Sequence, residues 1–442
     1  MFRQRSPRAC RGRAAGVLLL AAAVLSPALP AVAADGSGTR SETAAVASAD
    51  PQAAVTERLR ARAEKVMGAA AAREDRPVVR VVRKSGRWAF GTAVMATEQG
   101  SERMPQGWLF VAERQDGEWR AALEGEERFA DISRRSPVVG AREKSLFAQQ
   151  DGRQRDVLKK DDVRGPADVR KIPHHPQPSG GIDSDGGAGL LSAGGDYRTG
   201  MALPTTIGAN TVLTSGPHGW GGYESPWSSI DLAGGDEVVR AARQGNAYTM
   251  CTGWIRVIHD RGYATDYYHL WSNINTNGGW VNTGDHLGYT GTDVTCGGAA
   301  YGRHVHFALR QNSAYIGIAG HGIGKWVLYN GSAAYQGGAL HGSYWAGVGG
   351  TLYNYGVLGF NQGVVDANGG GSVNRRSGPG TGYAVAGSVA DGATVTVSCS
   401  ANGTSHTGRY GTTSLWNRLS DGTWSSDAYM WSGVNGPVSG WC

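Results

Sequence analysis

From Met201 to about Tyr344 the chain strings together short apolar and aromatic runs separated by glycine, and helical spacing is nearly absent. Trp254–His259 and Ala264–His269 flank the tight turn Asp260-Arg261-Gly262-Tyr263, which reads as a hairpin. His304-Val305-His306-Phe307-Ala308-Leu309 reads as another strand. The chain has 69 glycines, and charged residues make up only 18%. That balance favours sheets joined by turns over helical bundles. The expected fold is mainly β, built on an antiparallel sheet.

The first residues carry a different message. Arg3, Arg5, Arg8, Arg11 and Arg13 precede an apolar stretch from Ala14 to about Leu25, and Ala31-Val32-Ala33 follows as a small-residue cleavage site. This is the layout of a secretory signal, assigned to residues 1–34. The apolar run is too short to span a bilayer with these flanks. The formal charge of +6 owes five of its units to those arginines, so the remainder is near neutral. A basic pI is then no argument for nucleic acid. The expected product is secreted, extracellular or at the cell wall, with no membrane association after signal cleavage. Four cysteines remain beyond Cys10: Cys251, Cys296, Cys399 and Cys442. An even count in an exported chain suggests disulfides, with three pairings possible. Proximity favours Cys251–Cys296 and Cys399–Cys442, each worth roughly 4 kcal/mol in the chain-entropy picture.

Composition shifts divide the rest. Residues 35–75 are rich in Ala, Arg and Glu, with a helix expected over Thr56–Ala72. Pro77–Val82 and Trp108–Val111 read as strands. Residues 141–195 turn polar, then rich in Pro and Gly, as in a linker. A small folded unit, a tether and a cysteine-bearing region together have the layout of a precursor, so 35–190 is read as an α+β propeptide and linker. Residues 191–345 form the expected central domain. A second linker is placed at 346–362, and a small β-barrel at 363–442.

His304-Val305-His306 is the strongest chemical signal. In a strand the two imidazoles share one face about 7 Å apart, which suits one on a metal and one toward substrate. His218 lies in the Gly-rich turn Pro217-His218-Gly219-Trp220. Asp231 ends the run Trp227-Ser228-Ser229-Ile230, and His269 closes Tyr267-Tyr268. Two neutral imidazoles and one carboxylate make a common catalytic zinc set with a position left open for water. Zinc lowers the pKa of bound water from about 15.7 to about 7. No H-E-x-x-H occurs, and no G-x-S-x-G elbow is evident in a strand-to-helix context.

His218, twelve residues, Asp231, then Tyr267-Tyr268-His269 and His304-Val305-His306-Phe307 together resemble the lysostaphin/LytM-type zinc endopeptidases. The long His-to-Asp spacing and the Cys251–Cys296 spacing are similar to the β-lytic, LasA-type branch. The resemblance covers roughly residues 196–345. It implies that His218, Asp231 and His306 hold one zinc ion, and that His269 and His304 flank it as proton-transfer groups. Tyr335 falls where that family places a tyrosine near the oxyanion. His174 or His175, in the tether, is a further candidate to fill the open zinc position in a latent precursor. Val373-Asn374-Arg375-Arg376-Ser377-Gly378-Pro379 resembles bacterial SH3-like wall-binding domains, with Arg375 where Val is usual. Trp416, Trp424 and Tyr429 are there either a binding surface or the barrel's core.

The expected function is hydrolysis of Gly- or Ala-containing peptide bonds in bacterial peptidoglycan, by a secreted monomeric zinc metalloendopeptidase that is bacteriolytic or autolytic. The alternatives are a non-catalytic wall-binding or activator protein, and a secreted protease acting on Gly-rich proteins such as elastin.

Overall fold

The computed structural model describes residues 50–150, 196–434 and 436–442. The signal assigned to 1–34, and His174 and His175, lie outside the described residues. The fold is mainly β, as the composition suggests.

Near the N-terminus the expected single helix is two. Pro51–Met67 ends at Gly68, whose φ of +86° is a conformation that L side chains rarely adopt, and Ala69–Glu74 starts anew. Four antiparallel strands follow in chain order: Arg76–Ser85, Trp88–Ala96, Gln106–Gln115 and Glu118–Leu123. Alternation gives this small sheet two apolar faces. Ala89, Ala93, Met95, Trp108 and Phe110 pack under Val55, Leu59 and Ala63 of the first helix. Phe90, Val94, Leu109 and Val111 face the other way and pack against Trp220, Tyr248, Trp254 and Tyr268 of the central region. Glu127–Arg135 and Ala141–Gln149 are helices, so the polar stretch expected to be linker from 141 begins as a helix. Its Leu146 and Phe147 supply buried apolar contacts that the polar average of the segment conceals.

The central region is a nine-stranded sheet. Its path runs Asn277–Val281, Gly245–Cys251, Trp254–Ile258, Tyr263–Tyr268, Val305–Gln311, Ser229–Ala233, Asn210–His218 and Thr351–Tyr353, with Ala314–Tyr315 pairing off the path. The hairpin and the His304–Leu309 strand are therefore present. Thr351–Tyr353, within the stretch read as linker, pairs with Asn210–Val212 and closes that edge. Ile255, Val257, Tyr267, Val305, Phe307 and Leu309 point into one core with Leu213, Ile230 and Leu232. Their alternates, including Ile258, Tyr268 and Ala308, form the opposite face and lie under the N-terminal sheet. That second face carries His306.

The last region is a seven-stranded sheet, from Gln362–Val365 to Met430–Trp431. Trp416 is buried there, and its indole donates to Thr404 O at 2.8 Å, so it belongs to the core. Arg375 pairs with Asp421 at the surface, which accommodates a charge where an apolar residue was expected. Cys251–Cys296 and Cys399–Cys442 are the two disulfides. Among the described residues no helix is long and apolar enough to cross a membrane.

Candidate metal centre

Strand register assembles the site. Across the ladder His306 lies opposite Asp231 on one side and opposite Tyr268 on the other. Directly opposed side chains have Cβ atoms only about 5 Å apart. His304 precedes His306 by two positions, and His269, just past the strand end at Tyr268, leaves the strand alternation through a left-handed backbone, so that its ring lies 6.0 Å from that of His306. His218 was expected in a turn but is the last residue of the strand Asn210–His218. Irregular register between Ser215–Asp231 and His218–Ser229 bends that strand and re-aims its final imidazole.

Three ligand atoms converge. His306 Nδ1 is 3.0 Å from Asp231 Oδ1, His218 Nε2 is 3.2 Å from His306 Nδ1, and His218 Nε2 is 3.5 Å from Asp231 Oδ1. A tetrahedral zinc ion with bonds of about 2.0–2.1 Å sets its ligand atoms roughly 3.3 Å apart. The donor set and its spacing fit such an ion. All three residues are buried.

Backbone carbonyls choose the tautomers. A carbonyl can only accept, so the ring nitrogen facing it carries the proton. His218 Nδ1–H donates to Gly216 O at 2.8 Å, His269 Nδ1–H to Asp293 O at 2.9 Å, and His304 Nδ1–H to Gly302 O at 2.8 Å. Each ring's Nε2 is thereby left as a lone pair, as in metal sites oriented by an outer shell of acceptors. Burial drives His218 down to about 4, against the pull of Asp231, and drives His269 down to about 3, with His304 and His306 adding to the effect. Both rings are therefore neutral at physiological pH. Asp231 is desolvated, yet the surrounding imidazoles hold its carboxyl below the ordinary range and keep it ionised. Neutral imidazoles beside an anionic carboxylate are what a divalent cation requires. His304 Nε2 stands 3.7 Å from Asp231 Oδ1, and the His269 and His304 ring centroids are 4.9 Å apart, so the two form a pair beside the ligand cluster.

The chain matches peptidase family M23 over residues 225–317. It carries a peptidase family M23 domain. Within that match lie Asp231, His269, His304 and His306, while His218 and Tyr335 lie outside it. The chain is 31% identical over 133 residues to Protease LasA of Pseudomonas aeruginosa, covering 28% of this chain and 32% of that protein. It therefore spans about a third of the length of that relative. It is also 39% identical over 87 residues to the uncharacterized protein YraJ of Bacillus subtilis, covering 18% of this chain and 74% of YraJ, which makes the two members of one family. Among solved structures, pseudoalterin, described as a novel M23 metalloprotease from the deep sea, is 28% identical and covers 35% of this chain and 97% of its own, with a TM-score of 0.33.

Tyr335 packs beside the His/Asp cluster from beyond the segment matched to family M23. Its N–H donates to Pro217 O and its carbonyl accepts from Gly216 N–H, both at 3.0 Å, which pins it beside the strand end that carries His218. The Tyr335 ring stacks on His218 at 4.2 Å. Burial, with the Asp231 charge added, pushes its phenol up to about 12, so it remains a proton donor. His269 and Tyr335 share a left-handed backbone, with φ of +67° and +69°, unusual for non-glycine residues and often found at functional positions. Trp220, two residues beyond His218, also reaches the cluster. Its ring meets His306 edge-on at 5.0 Å and walls the cluster. The orienting carbonyls of Gly216, Asp293 and Gly302 had no sequence signal, because any residue type supplies a carbonyl. His259 and His341 are remote from the cluster, as their hydrogen bonds to Gln244 O and Lys325 O indicate.

Proposed function

We propose that this chain is a secreted zinc endopeptidase that hydrolyses Gly- or Ala-containing peptide bonds of bacterial peptidoglycan. The observation that carries the reading is the convergence of His218, Asp231 and His306 beside the two free imidazole nitrogens of His269 and His304. Bound zinc supplies Lewis-acid polarisation of the scissile carbonyl and acidifies water. The chain's own groups do the rest. One of His269 and His304 accepts the proton of the attacking water at its free Nε2; the imidazolium so formed passes a proton to the other ring, whose centroid is 4.9 Å away, and that ring carries it to the departing amine. The Tyr335 hydroxyl donates to the developing oxyanion. The carbonyls of Gly216, Asp293 and Gly302 hold each imidazole with its Nε2 free to take up a proton or a ligand bond.

In this reading residues 1–34 direct export, and residues 35–190 are a propeptide and linker lost on maturation. Residues 363–442 are an SH3-like module that holds the enzyme, acting as a monomer, on its insoluble substrate and raises the local concentration there. The decisive experiment measures release of free amino groups from purified walls by the matured protein. Activity lost to a chelator and restored by zinc supports the proposal. Wall binding without release at any zinc level favours a non-catalytic adhesive. Release from elastin in preference to walls favours a general protease.

A further inference from the structure

The face that carries the metal cluster does not end there. Along Val305–Gln311 the same-face positions are His306, Ala308 and Arg310, and the neighbouring strands add Arg256, Asp266 and Tyr268. Part of the chain's own N-terminal region, Thr97–Pro105, lies against this end of the central region as an irregular segment with a turn at Glu98–Ser101. Thr97 N–H donates to Cys296 O at 3.0 Å, Gly298 N–H to Glu98 O at 3.3 Å, and Gly100 N–H to Gly298 O at 2.8 Å. Further on, Pro105 O accepts from Trp220 Nε1 at 2.7 Å, beside His306. These backbone bonds dock the segment on the Cys296–Gly298 loop through one isolated bridge, Gln99 to Gly298. Gly107 then passes so close to Trp254 that a Cβ there would sit 2.7 Å from the indole.

Glu124 of the same region is inserted among the arginines. Its Oε2 lies 2.8 Å from Arg256 Nη1 and accepts from Leu109 N at 3.3 Å, with all three groups buried. Asp266 takes the rest of the Arg256 guanidinium, at Nε and Nη2, both at 2.9 Å. The sheet by itself therefore holds two guanidiniums, Arg256 and Arg310, against one carboxylate, Asp266. Glu124 brings the sum to zero, but it fits imperfectly. Its Oε1 is buried without a hydrogen bond and stands 3.7 Å from Arg310 Nη2, while Arg310 Nε is also buried without a partner. A guanidinium offers two parallel donors to a carboxylate; here Arg310 Nη2 donates to Ser313 O at 2.7 Å and Nε is left unmatched.

We infer that Arg256 and Arg310 form a carboxylate-binding subsite of the substrate groove, and that Glu124 is its internal stand-in. The inference rests on the reading above, in which the N-terminal region leaves and the metal centre is hydrolytic. Arg310 is four residues from His306, about 13 Å along the strand, or about four residues of extended peptide. The ligand it selects is an extended peptide carrying a carboxylate at that distance from the bond over the metal.

The test uses the full chain, cut at a protease site placed within residues 151–195, with both pieces still associated. Pentaglycine with a free C-terminal carboxylate is compared with its carboxamide as a displacer of the N-terminal fragment from chelator-treated protein. The acid is expected to displace at roughly tenfold lower concentration. Arg310→Gln abolishes the difference, and Arg310→Lys, which keeps the charge, retains part of it. Equal potency of the two peptides, displacement by neither, or discrimination that survives Arg310→Gln overturns the subsite. Hydrolysis is followed in parallel on zinc-reloaded protein. Selective displacement without hydrolysis keeps the subsite and removes the hydrolytic reading.

Discussion

Two desolvated charge clusters occupy one face of the same sheet, and they differ in whether the protein completes them. At one end Asp231 is an ionised carboxylate surrounded by His218, His306 and the nearby His304, with His218 held neutral by burial. At the other, Arg256 and Arg310 are matched by Asp266 and Glu124. Burying charge is costly unless it is compensated. The first cluster has three ligand atoms spaced to take a cation. The second is neutral only while a residue from elsewhere in the chain stays in place. The lesson is that a cluster whose own groups converge on one point suits a metal ion, whereas one balanced by a residue from another region clasps that region to the sheet for as long as the residue stays.

The sharpest way to break this contrast is at the metal end. Asp231→Asn is expected to abolish both zinc retention and hydrolysis, read by metal analysis and peptide cleavage on the matured protein. His269→Ala or His304→Ala, by contrast, is expected to retain zinc while kcat falls by about 10²–10⁴-fold. Loss of zinc from either variant would move that histidine into the ligand set. Tyr335→Phe removes only the hydroxyl, and kcat is expected to fall by up to about 10²-fold with KM nearly unchanged. An unchanged kcat would leave Tyr335 as a packing residue against His218.

At the arginine end the expected effects are on stability. Glu124→Ala leaves a buried guanidinium short of a partner, at a cost of about 3–5 kcal/mol. Denaturant unfolding of the full chain measures it. A loss below 1 kcal/mol would mean that water replaces the carboxylate easily and that the clasp is weak. Acid acts through the buried histidines, at the metal end and beyond it. His259 is buried between Gln244 O and Thr265 Oγ1, and its pKa is pulled from 6.5 to about 3 by burial. Below pH 6.5 the unfolded chain binds the proton and the folded chain does not. Stability is therefore lost progressively as pH falls from 6.5 toward 3, and His259→Gln is expected to flatten that decline.

What could be read from the sequence follows the same division. The metal cluster was legible because strand periodicity puts His304 and His306 on one face, and because the spacings of His218, Asp231 and His269 add a family pattern. The β-rich architecture was legible from glycine-punctuated short runs. The helix break at Gly68 was not, since alanine-rich flanks on both sides continue the helical pattern. The clasp was not either. Arg256 and Glu124 are separated by 132 residues, and each alone reads as a solvated surface charge. Nothing in a strand's alternation says whether its second face meets water or another part of the chain. Tyr335 was reachable only through family resemblance, because its position depends on the backbone pairing with Gly216 and Pro217.

The short strand Thr351–Tyr353 sets a rule for anyone trimming this protein. It is the outermost strand on the side of Asn210–His218, so a fragment ending at residue 345 would strip the cover from the strand that delivers His218. Bare amide and carbonyl groups along such a margin recruit other chains. A truncated version that keeps every ligand would then be prone to clump and to let its first histidine drift, whereas one extended past Tyr353 keeps that border sealed.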